Sequence, residues 1–203
     1  MRGFKRLWMM MVVTMLVLVQ PISAQALTST SSTSNYASYN NASARDYVIK
    51  FGKEHNLGQN DVWKVYAAPA FDAVRGANGK ASTRSTDDVY SAGWSGAWLL
   101  VRYVKDNGGY RVGWIPKTEL NMRTIQATRN VNFAYWTVTL AESCALTDDP
   151  LMSSDTLAYA DQGEQLTYLG YYQYGNGMEY AYVQGKLDGR PVCGFVPFDA
   201  IAW

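Results

Sequence analysis

The residue types suited to catalysis are scarce in this chain: one histidine, two cysteines and a few adjacent carboxylates. His55 sits in Lys53-Glu54-His55-Asn56, near the end of a segment with helical spacing, an ordinary solvated place for an imidazole. One class of thiol hydrolase carries a cysteine at a helix start and, later in the chain, a histidine to take its proton. Here His55 precedes both Cys144 and Cys193, and neither cysteine opens a helix. A zinc site would need His and Cys at ligand spacing, which the sequence lacks. Gly93-Trp94-Ser95-Gly96 has the wrong spacing for a nucleophile elbow, and there is no glycine-rich phosphate loop. Asp87-Asp88 and Asp148-Asp149 are each flanked by turn formers, so their carboxylates read as turn acceptors rather than as a glycosidase pair. No catalytic residue, metal or cofactor is expected.

Binding chemistry is better represented, with 15 tyrosines in the chain. A ring with a polar tip offers contact area at little entropic cost. Candidate contacts are the aromatics that a core does not need. Trp94, beside Gly93 and Ser95-Gly96, is one. Tyr171, Tyr172 and Tyr174, crowded before Gly175-Asn176-Gly177, are the others, since alternation should not turn all three inward. Trp98, Trp114, Tyr182 and Phe195 lie on strands and are assigned to the core. Such loop aromatics could stack on sugars, hold short peptides, or pack between the two halves of the chain.

The elements that would position these rings are hairpins. Trp98-Leu99-Leu100-Val101-Arg102-Tyr103-Val104 is a run of strand formers, followed by Asn107-Gly108 and a return strand from Tyr110 to Pro116. The pattern recurs as Tyr180-Ala181-Tyr182-Val183, a turn at Asp188-Gly189, and a return from Val192 to Pro197. The interval from Gly113-Trp114-Ile115-Pro116 to Gly194-Phe195-Val196-Pro197 is the same as that from Pro69 to Pro150. Two landmarks with one offset argue for an internal duplication. Residues 44–122 and 123–203 are the expected units. Tyr47, Val48 and Phe51 recur at helical spacing, with Ser43 as cap and Gly58 as stop, so a short helix is expected over 44–57. Residues 123–143 are additional strand-prone chain, expected to tie the units together.

The first residues read as an export signal. Arg2, Lys5 and Arg6 precede an apolar run from Leu7 to Val19, and Ala24-Gln25-Ala26 offers a peptidase site. Cleavage is expected after Ala26, with Ala24 as second choice. The run falls short of the ~20 residues that span a bilayer, so no membrane insertion is expected after cleavage. Residues 27–43 hold nine Ser or Thr and read as a spacer. Without the three basic residues of the signal, 15 of the 18 basic residues remain against 17 acidic ones, a net charge of about −2. That balance argues against nucleic acid as a partner.

The aromatic-led strand, the Asp/Asn/Gly turn and the closing Gly-aromatic-aliphatic strand resemble the bacterial SH3-like domains, once over 62–120 and again over 144–201. The resemblance implies an all-β fold, two tandem SH3-like small β-barrels preceded by a short helix. The loop at residues 73–80 and the segment at 123–143 depart from the simple pattern. Terminal strands of such barrels can run close together, so an exported chain could bridge Cys144 to Cys193; the alternative is two separate buried thiols. The family's usual role implies a secreted or envelope-associated module that holds cell-wall glycan or peptide. The other reading is a module that binds another secreted protein.

Overall fold

The structure is a computed structural model, and it describes residues 41–53, 61–84, 87–106, 108–120, 129–150, 156–175 and 177–203. The signal and nearly all of the spacer, together with His55, lie outside the described residues. A four-residue helix α1 (Asn41–Ala44) leads into strands β1 (Gly52–Lys53), β2 (Val62–Lys64), β3 (Ser82–Arg84), β4 (Val89–Ser95), β5 (Trp98–Val104) and β6 (Tyr110–Pro116). After these come β7 (Trp136–Leu140), β8 (Cys144–Thr147), β9 (Thr156–Ala160), β10 (Gln165–Gln173), β11 (Glu179–Leu187), β12 (Arg190–Pro197) and β13 (Ile201–Ala202). The protein is all-β.

Turn chemistry closes both expected hairpins. Between β5 and β6, Lys105 donates its N–H to the Gly109 carbonyl at 2.6 Å, with Gly108 at a φ of 81°. Between β11 and β12, Asp188 and Gly189 form a two-residue turn with φ values of 50° and 78°. Two positive φ values in succession match the right-handed twist of the flanking strands.

The same strand order occurs twice. In the first half it is β1-β4-β5-β6, continued to β2-β3 through the antiparallel bridge of Tyr66 to Trp114. In the second half it is β7-β10-β11-β12-β8-β9, with Thr147 paired to Phe195 at the equivalent junction and β13 added outside β7. The 3-10 turns that follow, Lys117–Glu119 and Phe198–Ala200, keep the interval that separates Gly113 from Gly194. A glycine sits at each junction for a steric reason. A Cβ on Gly113 would strike Val65 and lie 2.9 Å from the Tyr66 carbonyl oxygen; one on Gly194 would lie 3.0 Å from both Leu146 Cβ and the Thr147 oxygen.

The halves are joined reciprocally, each giving the other what it receives. Cys193 donates its backbone N–H to the Ala67 carbonyl at 2.8 Å, and Val112 donates to that of Asp148 at 2.7 Å. Ala67 and Asp148 are repeat equivalents, and Val112 and Cys193 are equivalents at the same interval. The chain ahead of β1 pairs with β10, where Tyr171 donates to Tyr47 and Ile49 donates to Tyr171, both at 2.8 Å. The chain ahead of β7 pairs with β4, where Trp94 donates to Arg129 at 3.0 Å and Val131 to Trp94 at 2.8 Å. These reciprocal contacts have the form of an isologous interface, as in a two-fold dimer, written here within one polypeptide. The described residues accordingly gather into a single compact unit. Two of its three apolar clusters draw on both halves: one joins Leu100, Val112 and Trp114 to Tyr182 and Phe195, and the other sets Ala44 and Ala67 among residues of the second half.

Several expectations are corrected. Residues 47–53 are not helical: they bridge to Tyr171 and then pair as β1 with Ser91 and Tyr90, so sheet hydrogen bonds replace the helix that their spacing suggests. The expected helix beyond Lys53 lies outside the described residues. Cys144 and Cys193 are free thiols. The Thr147–Phe195 pairing carries Cys193 past the end of β8, and the two side chains pack in different clusters. The Asp148 carboxylate, expected to serve a turn, is 2% exposed and forms a buried ion pair with Arg111 of the other half. Asp87 does act as a turn acceptor, taking the Arg84 N–H at 2.7 Å.

Candidate functional site

The four aromatics singled out from the sequence are placed in three different packing environments. Trp94 is half-buried on β4, its backbone held by Arg129 and Val131 and its ring set against the cluster of Trp63, Leu99 and Ile115. Tyr171 and Tyr172 are both buried, because β10 is covered on both faces. The Tyr171 hydroxyl donates to Glu179 Oε1 at 2.6 Å, while the Tyr172 hydroxyl accepts from Arg102 Nη1 at 3.0 Å. Tyr174 is half-buried and starts the β10–β11 turn, donating its N–H to Met178 at 2.9 Å. Trp94 and Tyr172 do occupy matching positions in the repeat. Their cross-strand partners, Leu99 and Tyr180, stand at the repeat interval from one another. The structure does not bring the four together into one surface.

A different set of rings is presented to solvent. Phe71, 67% exposed, packs on Trp98 with centroids 4.9 Å apart, and Trp98 meets Tyr66 edge-on at 5.4 Å. Tyr135, 60% exposed, stands edge-on to Phe133 at 5.8 Å, and Phe133 packs on Trp114 at 5.7 Å. Ser95 links the two sets: it pairs across the hairpin with Trp98, and its Oγ lies 3.4 Å from the Tyr135 hydroxyl. Tyr135 holds a φ of 53°, a left-handed conformation that costs a non-glycine residue energy and recurs at binding sites. A contiguous strip of exposed aromatics is uncommon on a monomeric surface without a contact role. Trp98, assigned to the core by strand alternation, is half-buried and belongs to this strip. Trp114, Tyr182 and Phe195 are buried core residues. The sequence signal for the strip was the pair of aromatics in irregular chain, Phe71 and Tyr135, which strand alternation does not address.

Beside the C-terminal 3-10 turn lies a groove of about 540 Å³, walled by Arg45, Glu179, Tyr180, Phe198 and Trp203. Arg45 meets Glu179 at 2.5 Å and lies 4.6 Å over the Phe198 ring. Hydrogen bonds from Arg45 and Tyr171 hold the Glu179 carboxyl below its ordinary value. Arg45 and Glu179 neutralise one another, and the exposed Asp199 adds a carboxylate at the rim of an otherwise largely apolar wall.

The thiols are poor nucleophiles. Burial pushes Cys193 up to about 12, so at neutral pH it is fully protonated. Burial also raises Cys144, with Glu142 and Glu164 adding to the effect. Among the described residues, no group of three or more His, Cys, Asp or Glu side chains is placed to hold a metal ion. No described helix is long and apolar enough to cross a membrane. No protein-family model matches the chain, and neither a curated protein nor a solved structure matches it. Fold and surface chemistry therefore carry the functional reading: an all-β protein built on a repeated strand order, with an exposed aromatic strip.

Proposed function

We propose that this chain is an exported, non-catalytic binding module, two SH3-like units joined face to face, that holds bacterial cell-wall glycan or peptide on the strip formed by Phe71, Trp98 and Tyr135. The carrying observation is that Phe71 and Tyr135 remain 67% and 60% exposed while most other large rings of the fold are covered. Flat rings with a wet edge stack on the apolar faces of sugars and on short extended peptides. The export signal and the resemblance support the envelope as the setting. Retention on purified peptidoglycan tests the reading: Phe71→Ala with Tyr135→Ala should release the protein while leaving its melting temperature within a few degrees. Undiminished retention by that double variant removes the strip as the site.

A second reading, recognition of another secreted protein, is favoured by β9. It is the outermost strand of the seven-stranded sheet, and it carries Tyr159 at 80% exposure. An open strand edge is a template for an added strand. Under this reading, Tyr159→Lys abolishes complex formation and leaves retention on peptidoglycan unchanged.

A further inference from the structure

A second concavity lies on the seam between the halves, and its chemistry differs from that of the aromatic strip. It encloses about 470 Å³ between residues 48–51 of the first half, Arg102 on β5, and residues 171–173 of the second half. The Arg102 guanidinium is surrounded by rings, with centroids 4.7 Å away for Tyr110, 4.9 Å for Tyr90 and 5.5 Å for Phe51. Nη1 donates to the Tyr172 hydroxyl at 3.0 Å, while Nε is buried with no hydrogen-bond partner among the described residues. Arg45 and Arg111 each face a carboxylate; among the described residues Arg102 faces none. The cavity wall adds a second cation, Lys50, and contains no Asp or Glu.

The internal repeat supplies a control for whether the fold needs a charge here. Arg102 pairs across the sheet with Tyr90, and at the equivalent position of the second half Val183 pairs with Tyr168. Val183 is fully buried in the core, so the same backbone frame is satisfied by a plain aliphatic side chain. Holding a half-buried guanidinium with no carboxylate in contact is unfavourable by comparison; buried Asp149 acts on the neighbouring Tyr172 hydroxyl at longer range. The rings fix the guanidinium plane through cation–π contact and keep bulk water from one side of it. Because the Tyr172 oxygen accepts from Arg102, its own proton is free to donate elsewhere. The wall thus carries the Arg102 fork, the Lys50 ammonium and the Tyr172 proton beside the Gln173 amide and no carboxylate, a set that an anionic oxygen group completes.

We propose that this seam cavity binds a small oxyanion-bearing ligand, a carboxylate or a phosphate, with Arg102 supplying the planar fork, Lys50 a second charge and the Tyr172 hydroxyl a third donor. The inference is independent of the aromatic strip and of the envelope setting.

The test follows the Arg102 side-chain Nε–H by NMR in the full chain during titration with N-acetylalanine, its neutral methylamide, and inorganic phosphate. A saturable shift with N-acetylalanine assigns a carboxylate, and one with phosphate alone assigns a phosphate; either supports the site provided that the methylamide gives none. Arg102→Gln should weaken binding at least about tenfold, as expected when a charge-assisted fork is lost. Lys50→Gln, at an exposed side chain, should weaken it about three- to tenfold with unchanged melting temperature, and carries the test by itself if Arg102→Gln does not fold. Phe71→Ala should leave this binding unaltered. No saturable shift with either anion, an equal shift with the methylamide, or full affinity in Lys50→Gln overturns the proposal.

Discussion

The indole N–H of Trp114 donates to the hydroxyl of Tyr182 at 3.0 Å, inside the core and across the seam between the two halves. Trp114 is fully buried and Tyr182 nearly so, so neither group has water as an alternative partner. Tyr182→Phe leaves this buried donor only the weakly accepting Cys193 sulfur, at a cost of about 1–3 kcal/mol. Urea unfolding should show that loss with an unchanged slope. A variant as stable as the parent would mean that the Trp114 N–H finds another acceptor.

The shared core makes the halves mutually dependent. Residues 44–122 and 123–203, produced as separate polypeptides, should each expose apolar surface and lack a cooperative melt, yet fold on mixing. Gel filtration and tryptophan fluorescence check this, because Trp114 becomes buried only in the assembled form. A half that melts cooperatively by itself would falsify the dependence.

Close backbone approach predicts a graded alanine series. Gly113→Ala and Gly170→Ala put a methyl into occupied space, against Val65 in the first case and 2.7 Å from the Tyr47 oxygen in the second. Each should lose about 1–3 kcal/mol by overpacking. Gly175→Ala meets nothing within 4 Å and serves as the control, expected to stay within about 0.5 kcal/mol.

The ion pair of Arg111 with Asp148 joins the halves where both side chains are nearly excluded from water. Asp148→Ala leaves a buried guanidinium without its partner and should cost about 3–5 kcal/mol. Replacing both members, Arg111→Leu with Asp148→Ala, should recover part of that loss. Chemical denaturation of the two single variants and the double variant measures the coupling.

Alkaline pH should weaken the fold through its buried acids. Cys193 ordinarily ionises near 9, and burial moves it to about 12 in the folded protein. Across that window the folded state binds more protons than the unfolded state, so stability falls as pH rises. Its contribution is intact below about 9 and is lost progressively toward 12, at a slope of up to about 1.4 kcal/mol per pH unit. Tyr182, also raised by burial, acts in the same direction. Cys193→Ala should flatten the decline in denaturant melts taken from pH 8 to 11. Intact mass without reduction should also show no bridge between Cys144 and Cys193.

The sequence by itself determined the β class, both hairpins and the internal repeat, because these are local or periodic properties. Alternating side chains, Asn-Gly and Asp-Gly turns and a recurring Gly-aromatic-aliphatic ending need no knowledge of the far side of the sheet. Only the tertiary structure decided what faces what. Tyr171 and Tyr172 are both covered because the opposite half closes over the face of β10 that alternation would leave to solvent. Residues 47–53 turned from helical spacing to extended chain because β10 and β4 offered hydrogen bonds that a short isolated helix cannot match. Cys144 and Cys193 stay apart through strand register, and Arg102 meets the Tyr172 hydroxyl across the seam, both long-range relationships. Spacing along a chain encodes local geometry, whereas a reciprocal interface depends on contacts between residues distant in sequence.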